Sequence, residues 1–154
     1  MSIKTATFAG GCFYNLQAPF KHVPGIHRID TGYTGGITRN PTHQEVVSRN
    51  TGHAEAIQIT FEDSHITFKE LLRIFFLTHD PTTLNRQGPL RGTQFRSEIF
   101  YHDEKQMQEA IAARLYIQNR ISRPACPIVT DISPATAFYP AIESHTHTSE
   151  LAAI

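Results

Sequence analysis

Only two cysteines occur in this 154-residue chain, and one of them stands where a thiol could do chemistry. Cys12 follows Gly10-Gly11 and precedes the aromatics Phe13 and Tyr14. The glycines allow a ligand to come close to the backbone. If a helix starts just after Cys12, its unpaired amides and the positive end of its dipole favour the thiolate, and Phe13 and Tyr14 give the sulfur an apolar wall. Free cysteine also serves as a small core residue, so these residues alone leave a nucleophile and a structural cysteine both open. Cys126 is too far away in sequence for a CxxC pair, and in a reducing compartment both read as free thiols. His145 and His147, two apart near the end, lack the further ligands a metal site needs, and no metal is expected.

The elements that must position Cys12 follow from periodicity and punctuation. Residues 4–9 are β-prone and stop at Gly10-Gly11, which predicts a buried strand ending in a tight turn. Phe13, Leu16, Phe20 and Val23 recur at helical spacing up to Pro24-Gly25, with Pro19 as a distortion, so Cys12 falls where strand hands over to helix. A second strand is expected over 26–33. Residues 34–52, rich in Gly, Pro, Asn and Thr, read as an ordered surface loop. In 54–61 the alternation of Ile57, Ile59 and Phe61 with Gln58 and Thr60 predicts a half-buried strand.

Thr67 and Glu70 have capping-box spacing, and Leu71, Leu72, Phe75 and Phe76 give the following helix a broad core face. Asp80-Pro81 ends it. After a polar loop over 82–92, a strand is expected over 94–101, then a helix from Asp103-Glu104 with Met107, Ile111 and Leu115 on its apolar stripe, then a last strand over 128–132. This order predicts an α+β two-layer sandwich in a single domain, 1–154, with a mixed or antiparallel sheet and a ferredoxin-like βαββαβ core.

Charge and hydropathy narrow the function classes. Fourteen Lys and Arg balance fourteen Asp and Glu, so nothing calls for nucleic acid or an anionic membrane. The opening Met-Ser-Ile-Lys-Thr has no apolar signal region, and no run approaches the roughly 18 apolar residues of a membrane span. A cytoplasmic, monomeric protein with a small or neutral partner is expected.

Six strings, in order and in register, resemble the A-type peptide methionine sulfoxide reductases. They are Ala6-Thr7-Phe8-Ala9-Gly10-Gly11-Cys12-Phe13, Gly32-Tyr33-Thr34-Gly35-Gly36, Asn40-Pro41-Thr42, Thr51-Gly52-His53-Ala54-Glu55-Ala56, His79-Asp80-Pro81-Thr82 and Gly92-Thr93-Gln94. The resemblance implies that Cys12 attacks the sulfur of an S-configured methionine sulfoxide, releasing methionine and leaving a sulfenic acid that an external thiol must reduce. The sulfoxide oxygen leaves poorly until protonated. Glu55 matches the family's acid, and at the start of an apolar strand it could keep its proton near neutral pH; a surface carboxylate is the plain alternative. No bound cofactor is implied, only a thioredoxin-type or small-thiol reductant.

The departures from the family concern the substrate pocket and recycling. Tyr14 stands where the family usually has tryptophan. The two family tyrosines that hydrogen-bond the sulfoxide oxygen correspond to His43, which can donate, and Phe95, which cannot. A family aspartate corresponds to Leu90. His43 could also be mere loop surface. His145 corresponds to a histidine shaping the site wall, in an element otherwise poorly kept. The chain holds Asn15 at the helix start instead of a second cysteine, and Cys126 lies before the last strand, outside the family's resolving tail; it is retained as a candidate resolving thiol behind direct reduction from outside. Phe13, Tyr14, His43, Phe95 and His145 are thus the candidate substrate-binding residues. A specialised non-methionyl sulfoxide, or silent binding of methionine sulfoxide without turnover, are the alternative functions.

Overall fold

The structure, a computed structural model, describes residues 2–48, 51–121 and 126–141. Strand β1 (Ile3–Ala9) runs into α1 (Phe13–Gln17), which continues through a 3-10 turn (Ala18–Phe20), and β2 (Ile26–Thr34) follows. Then come α2 (His43–Val47), β3 (Ala54–Glu62), α3 (Phe68–Thr78), the small hairpin β4 (Arg86–Gln87) and β5 (Leu90–Arg91), β6 (Glu98–Tyr101), α4 (Glu104–Arg120), β7 (Asp131–Pro134) and β8 (Tyr139–Pro140).

The main sheet has the order β7-β6-β1-β3-β2-β8. All its pairings are antiparallel except β6 with β7. The inner run β6-β1-β3-β2 is the ferredoxin-like βαββαβ arrangement that the element order predicts.

Strand alternation sorts the side chains onto two faces. In the β1–β3 register Ala6 lies opposite Ile59 and Phe8 opposite Ile57, and all four enter the core beneath the helices, with Leu16, Phe20, Leu71, Leu72 and Phe75. Phe8 is the hub: its ring centroid lies 4.8 Å from Phe75, 5.9 Å from Phe68 and 6.1 Å from Phe20. The other face is thinner, made of Ala9, Ala54, Ala56 and Phe100, and is covered by Ala135 and Phe138 of the C-terminal segment. Gly32 admits that cover, since a Cβ there would lie 2.3 Å from the Tyr139 carbonyl oxygen.

Four expectations are corrected. The region 34–52 is not all loop: Thr42 and Glu45 form a capping box, and α2 is the short helix it opens. Residues 93–95 form a 3-10 turn, so the strand expected from 94 begins at Glu98. The last expected strand is displaced to Asp131–Pro134, because Ile128 and Val129 give their amides to Gln118 and to the Pro81 carbonyl instead of to a ladder.

Finally, α4 buries Gln106 and Ala110 rather than the predicted stripe, leaving Ile111 44% and Leu115 61% exposed. The reason is polar docking. The Gln106 side chain donates to the Thr5 carbonyl at 2.8 Å and accepts the His102 amide at 2.9 Å, which turns the helix by about 100°, one residue's rotation, from its hydrophobic stripe.

Candidate active site

The end of β1 is held from two sides. Gly10 packs against the ring of His79, where a Cβ would come within 2.9 Å of the imidazole. His79 is fixed by the Phe75 carbonyl at Nδ1 and Ser97 Oγ at Nε2, both at 2.8 Å, and burial holds it neutral, with its pKa lowered to about 4. Gly11 adopts φ +87°, a region open to glycine, and donates its amide to the Phe95 carbonyl at 3.2 Å. The chain thereby turns directly into α1, with Cys12 as its extended N-cap residue (φ −65°, ψ 129°).

This position does not make the resting thiol acidic overall. Burial pushes its pKa above the ordinary 9.0, and the Glu55 charge adds to that; the amides of Tyr14 and Asn15 pull it down without prevailing. The expectation that the helix start favours the thiolate is thus outweighed by desolvation. A helix of five residues supplies little macrodipole beyond its own free amides.

Glu55 points to the helical face, two residues before Ile57 along β3. It is 4% exposed, and its Oε1 accepts the Phe13 amide at 3.3 Å. Desolvation raises its pKa from 4.5 to about 7 against the pull of that amide. A carboxyl that can accept several hydrogen bonds and finds one keeps its proton near neutrality. Because Phe13 is the first residue of α1, the same hydrogen bond ties the acid to the helix that carries Cys12.

His43 arrives from the opposite direction. The loop after β2 is folded back by His53, whose Nδ1 accepts the Gly36 amide at 2.9 Å while Nε2 donates to the Thr38 carbonyl at 2.6 Å. Gly36 cannot carry a side chain, since a Cβ would lie 2.4 Å from both His53 N and Thr51 O. The Thr42 cap then starts α2 with His43 as its first residue. The hydroxyl of Tyr33 lies 3.0 Å from His43 Nδ1.

These elements enclose a cleft of about 510 Å³, lined by Cys12, Glu55 and His43 with Phe13, Tyr14 and Phe95 as aromatic walls; Leu90 and Asn15 complete the rim. Six of the sequence-predicted residues therefore meet in one place. Cys126 is half-buried, free and absent from this lining. His145 lies outside the described residues. Among the described residues no group of three His, Cys, Asp or Glu could hold a metal ion, and no helix is long and apolar enough to cross a membrane.

Sequence reasoning missed Tyr33 and His53 as site-building residues. Tyr33 is directly opposite Glu55 in the β2–β3 register and stands 5.7 Å from the Phe13 ring. Its signal is present in the alternation of β2 with β3, but reading it requires knowing which residues pair.

A thiol facing a carboxyl that holds its proton, in an aromatic cleft on a ferredoxin-like sandwich, is the equipment of a thiol-dependent oxidoreductase. Known proteins narrow this to one family. The model of the peptide methionine sulfoxide reductase family matches residues 4–150. The peptide methionine sulfoxide reductase MsrA of Geobacter sulfurreducens is 47% identical over 146 residues, covering 95% of this chain and 90% of the relative. Among solved structures, methionine sulfoxide reductase A of Corynebacterium diphtheriae superposes with a TM-score of 0.90 at 28% identity, covering 97% of this chain and 74% of the other. Mxr1 of Saccharomyces cerevisiae in reduced form gives 0.85 at 32% identity, covering 93% and 82%. The chain belongs to the peptide methionine sulfoxide reductase family, and the reaction it catalyses is the reduction of methionine sulfoxide.

Proposed function

We propose that the cleft reduces the S-epimer of methionine sulfoxide, free or peptide-bound, with Cys12 as nucleophile and Glu55 as proton donor. The observation that carries this assignment is the near-neutral, buried Glu55 carboxyl tied through the Phe13 amide to the helix that begins at Cys12. Glu55 protonates the sulfoxide oxygen and the Cys12 sulfur attacks the substrate sulfur. The substrate S–O bond breaks, the oxygen ends on Cys12 as a sulfenic acid and the sulfide leaves; counted from a Cys12 thiolate and a protonated Glu55, the one proton of the pair ends on the sulfenic oxygen, and Glu55 recovers a proton from water. Phe13 and Tyr14 receive the apolar part of the substrate, and His43 offers a second group to the oxygen.

An external thiol then attacks the sulfenic sulfur, expelling water and leaving a mixed disulfide that a second thiol resolves. A direct external reductant is supported by Asn15 at the helix start and by the absence of Cys126 from the residues that line the cleft. Mxr1 has been solved in complex with Trx2, which supports a thioredoxin-type protein in this role here. We place the reaction in a cytoplasmic, reducing compartment, where both thiols stay free.

A specialised sulfoxide is a second reading with its own observation: Phe95 and Leu90 make one side of the cleft apolar where a donor would serve a polar oxygen. The test is turnover with dithiothreitol on separated sulfoxide diastereomers, methionyl and non-methionyl, free and peptide-bound. Preference for the S-epimer of methionine sulfoxide supports the first reading, and a non-methionyl preference supports the second. Absence of turnover, with binding retained, would leave only a silent relative.

A further inference from the structure

Tyr33 is 1% exposed, on β2 across from Glu55. Among the described residues its hydroxyl has one hydrogen-bond partner, His43 Nδ1 at 3.0 Å. Burial, then the nearby Glu55, push its pKa well up, so the phenol keeps its proton. A buried hydroxyl proton needs an acceptor, and the atom within reach is His43 Nδ1, which can accept only when it carries no hydrogen. A neutral imidazole whose Nδ1 accepts carries its hydrogen on Nε2.

We propose that Tyr33 is a positioning residue that holds His43 as the Nε2–H tautomer, so that His43 donates to the sulfoxide oxygen from the place where the family has tyrosine. The role of the oxygen rests on the function proposed above; the tautomer does not. The consequence of the opposite tautomer is direct. With hydrogen on Nδ1, Nε2 would present a lone pair to an oxygen that gains negative charge as the S–O bond breaks, and a donor would become a repulsive acceptor. A hydroxyl outside the cleft thereby biases the sign of an interaction inside it. The neighbouring Phe95 has no polar atom to share this task, which raises the weight on the polar side chains that do line the cleft, Glu55, His43, Tyr14 and Asn15.

The test combines Tyr33→Phe, which removes the hydroxyl alone, with His43→Tyr, which installs a donor that has no tautomer to choose. In wild type, nitrogen-15 NMR should show the His43 Nδ1 as the unprotonated nitrogen, and in Tyr33→Phe the two ring nitrogens should move toward each other. Complete loss of one donor to a developing charge costs about a hundredfold or more. Loss of tautomer control, which leaves the donor form partly populated, should lower kcat by roughly tenfold with KM little changed. In the His43→Tyr background, Tyr33→Phe should change kcat by less than about twofold, because no tautomer remains to control.

A wild-type His43 protonated on Nδ1, or an equal loss from Tyr33→Phe in both backgrounds, overturns the inference while the reductase assignment stands. Absence of sulfoxide turnover by wild type sinks the assignment and with it the donor role, whatever the tautomer. Should His43→Tyr not fold, the nitrogen shifts in Tyr33→Phe decide.

Discussion

Replacing Glu55 with glutamine should stabilise the protein above neutral pH while impairing its chemistry. The Glu55 carboxyl has a pKa of about 7 in the folded chain, against an ordinary 4.5. Between those two values the folded chain holds a proton that the unfolded chain has lost. Stability therefore falls as pH rises through that window and stays reduced above it. At 1.36 kcal/mol per pKa unit the ionised carboxyl costs the fold up to about 3 kcal/mol. Glutamine carries no charge and fills nearly the same volume.

At pH 8, urea unfolding of Glu55→Gln should show a gain approaching that value, reduced by whatever its amide hydrogens leave unpaired. The gain should shrink to a few tenths of a kcal/mol by about pH 4.5, where the unfolded carboxyl is half ionised, and vanish below about pH 3.5, where the carboxyl is neutral in both states. In thermal melts the same gain corresponds to about 2–4 °C for each kcal/mol. The difference between variants is the necessary readout: His79, lowered to about 4 by burial, makes wild-type stability rise with pH between about 4 and 6.5 and masks part of the Glu55 trend. A variant no more stable than wild type at pH 8, or a gain independent of pH, would refute the reasoning that desolvation keeps Glu55 protonated.

The same pair of groups shapes the rate profile. Reaction of a Cys12 thiolate with a neutral Glu55 needs one proton on the pair, so kcat/KM should rise about tenfold per pH unit up to near 7 and then level off; in Glu55→Gln it should be about 10²- to 10⁴-fold lower and keep rising toward the thiol's own pKa. Cys12→Ser should abolish turnover, and wild type mixed with substrate but no reductant should gain the mass of one oxygen on Cys12; turnover by the serine variant would remove Cys12 from the mechanism. Cys126→Ser should leave kcat within about twofold with dithiothreitol or thioredoxin as reductant, and a loss confined to thioredoxin would make Cys126 the resolving thiol. Phe95→Tyr should raise kcat on methionine sulfoxide severalfold by restoring a donor, short of the roughly hundredfold that a fully preorganised donor supplies; an unchanged rate would show that this wall does not reach the oxygen.

The local signals in this chain are strong where a short segment settles its own conformation. The Gly10-Gly11 turn before Cys12, the alternation through Ile57, Ile59 and Phe61, and the Thr67–Glu70 capping box are all realised as read. Each depends on backbone sterics or periodicity within a few residues. Their order along the chain was also enough for the ferredoxin-like core. The helix at His43–Val47 was equally local, carried by Thr42 and Glu45, but it was hidden among loop-forming residues. The rotation of α4 was not legible, because it is set by Gln106 reaching the Thr5 carbonyl, 101 residues away in sequence.

The candidate site residues Cys12, Glu55 and His43 could be named from the sequence, Cys12 and Glu55 through motifs that carry the resemblance and His43 through its place after Asn40-Pro41-Thr42, where it departs from the family. Their chemical states could not. Burial raises both the Cys12 thiol and the Glu55 carboxyl, reversing the acidity a free helix start would confer on Cys12. Burial is a property of the packed sandwich, not of any segment. The Tyr33 hydroxyl meets His43 only because β2 pairs with β3 while His53 folds the intervening loop back. Sequence alone thus determined which groups are present at the site, through local and covalent constraints. Tertiary structure decided which of them hold protons and which face each other, because desolvation and strand pairing join residues that the chain keeps apart.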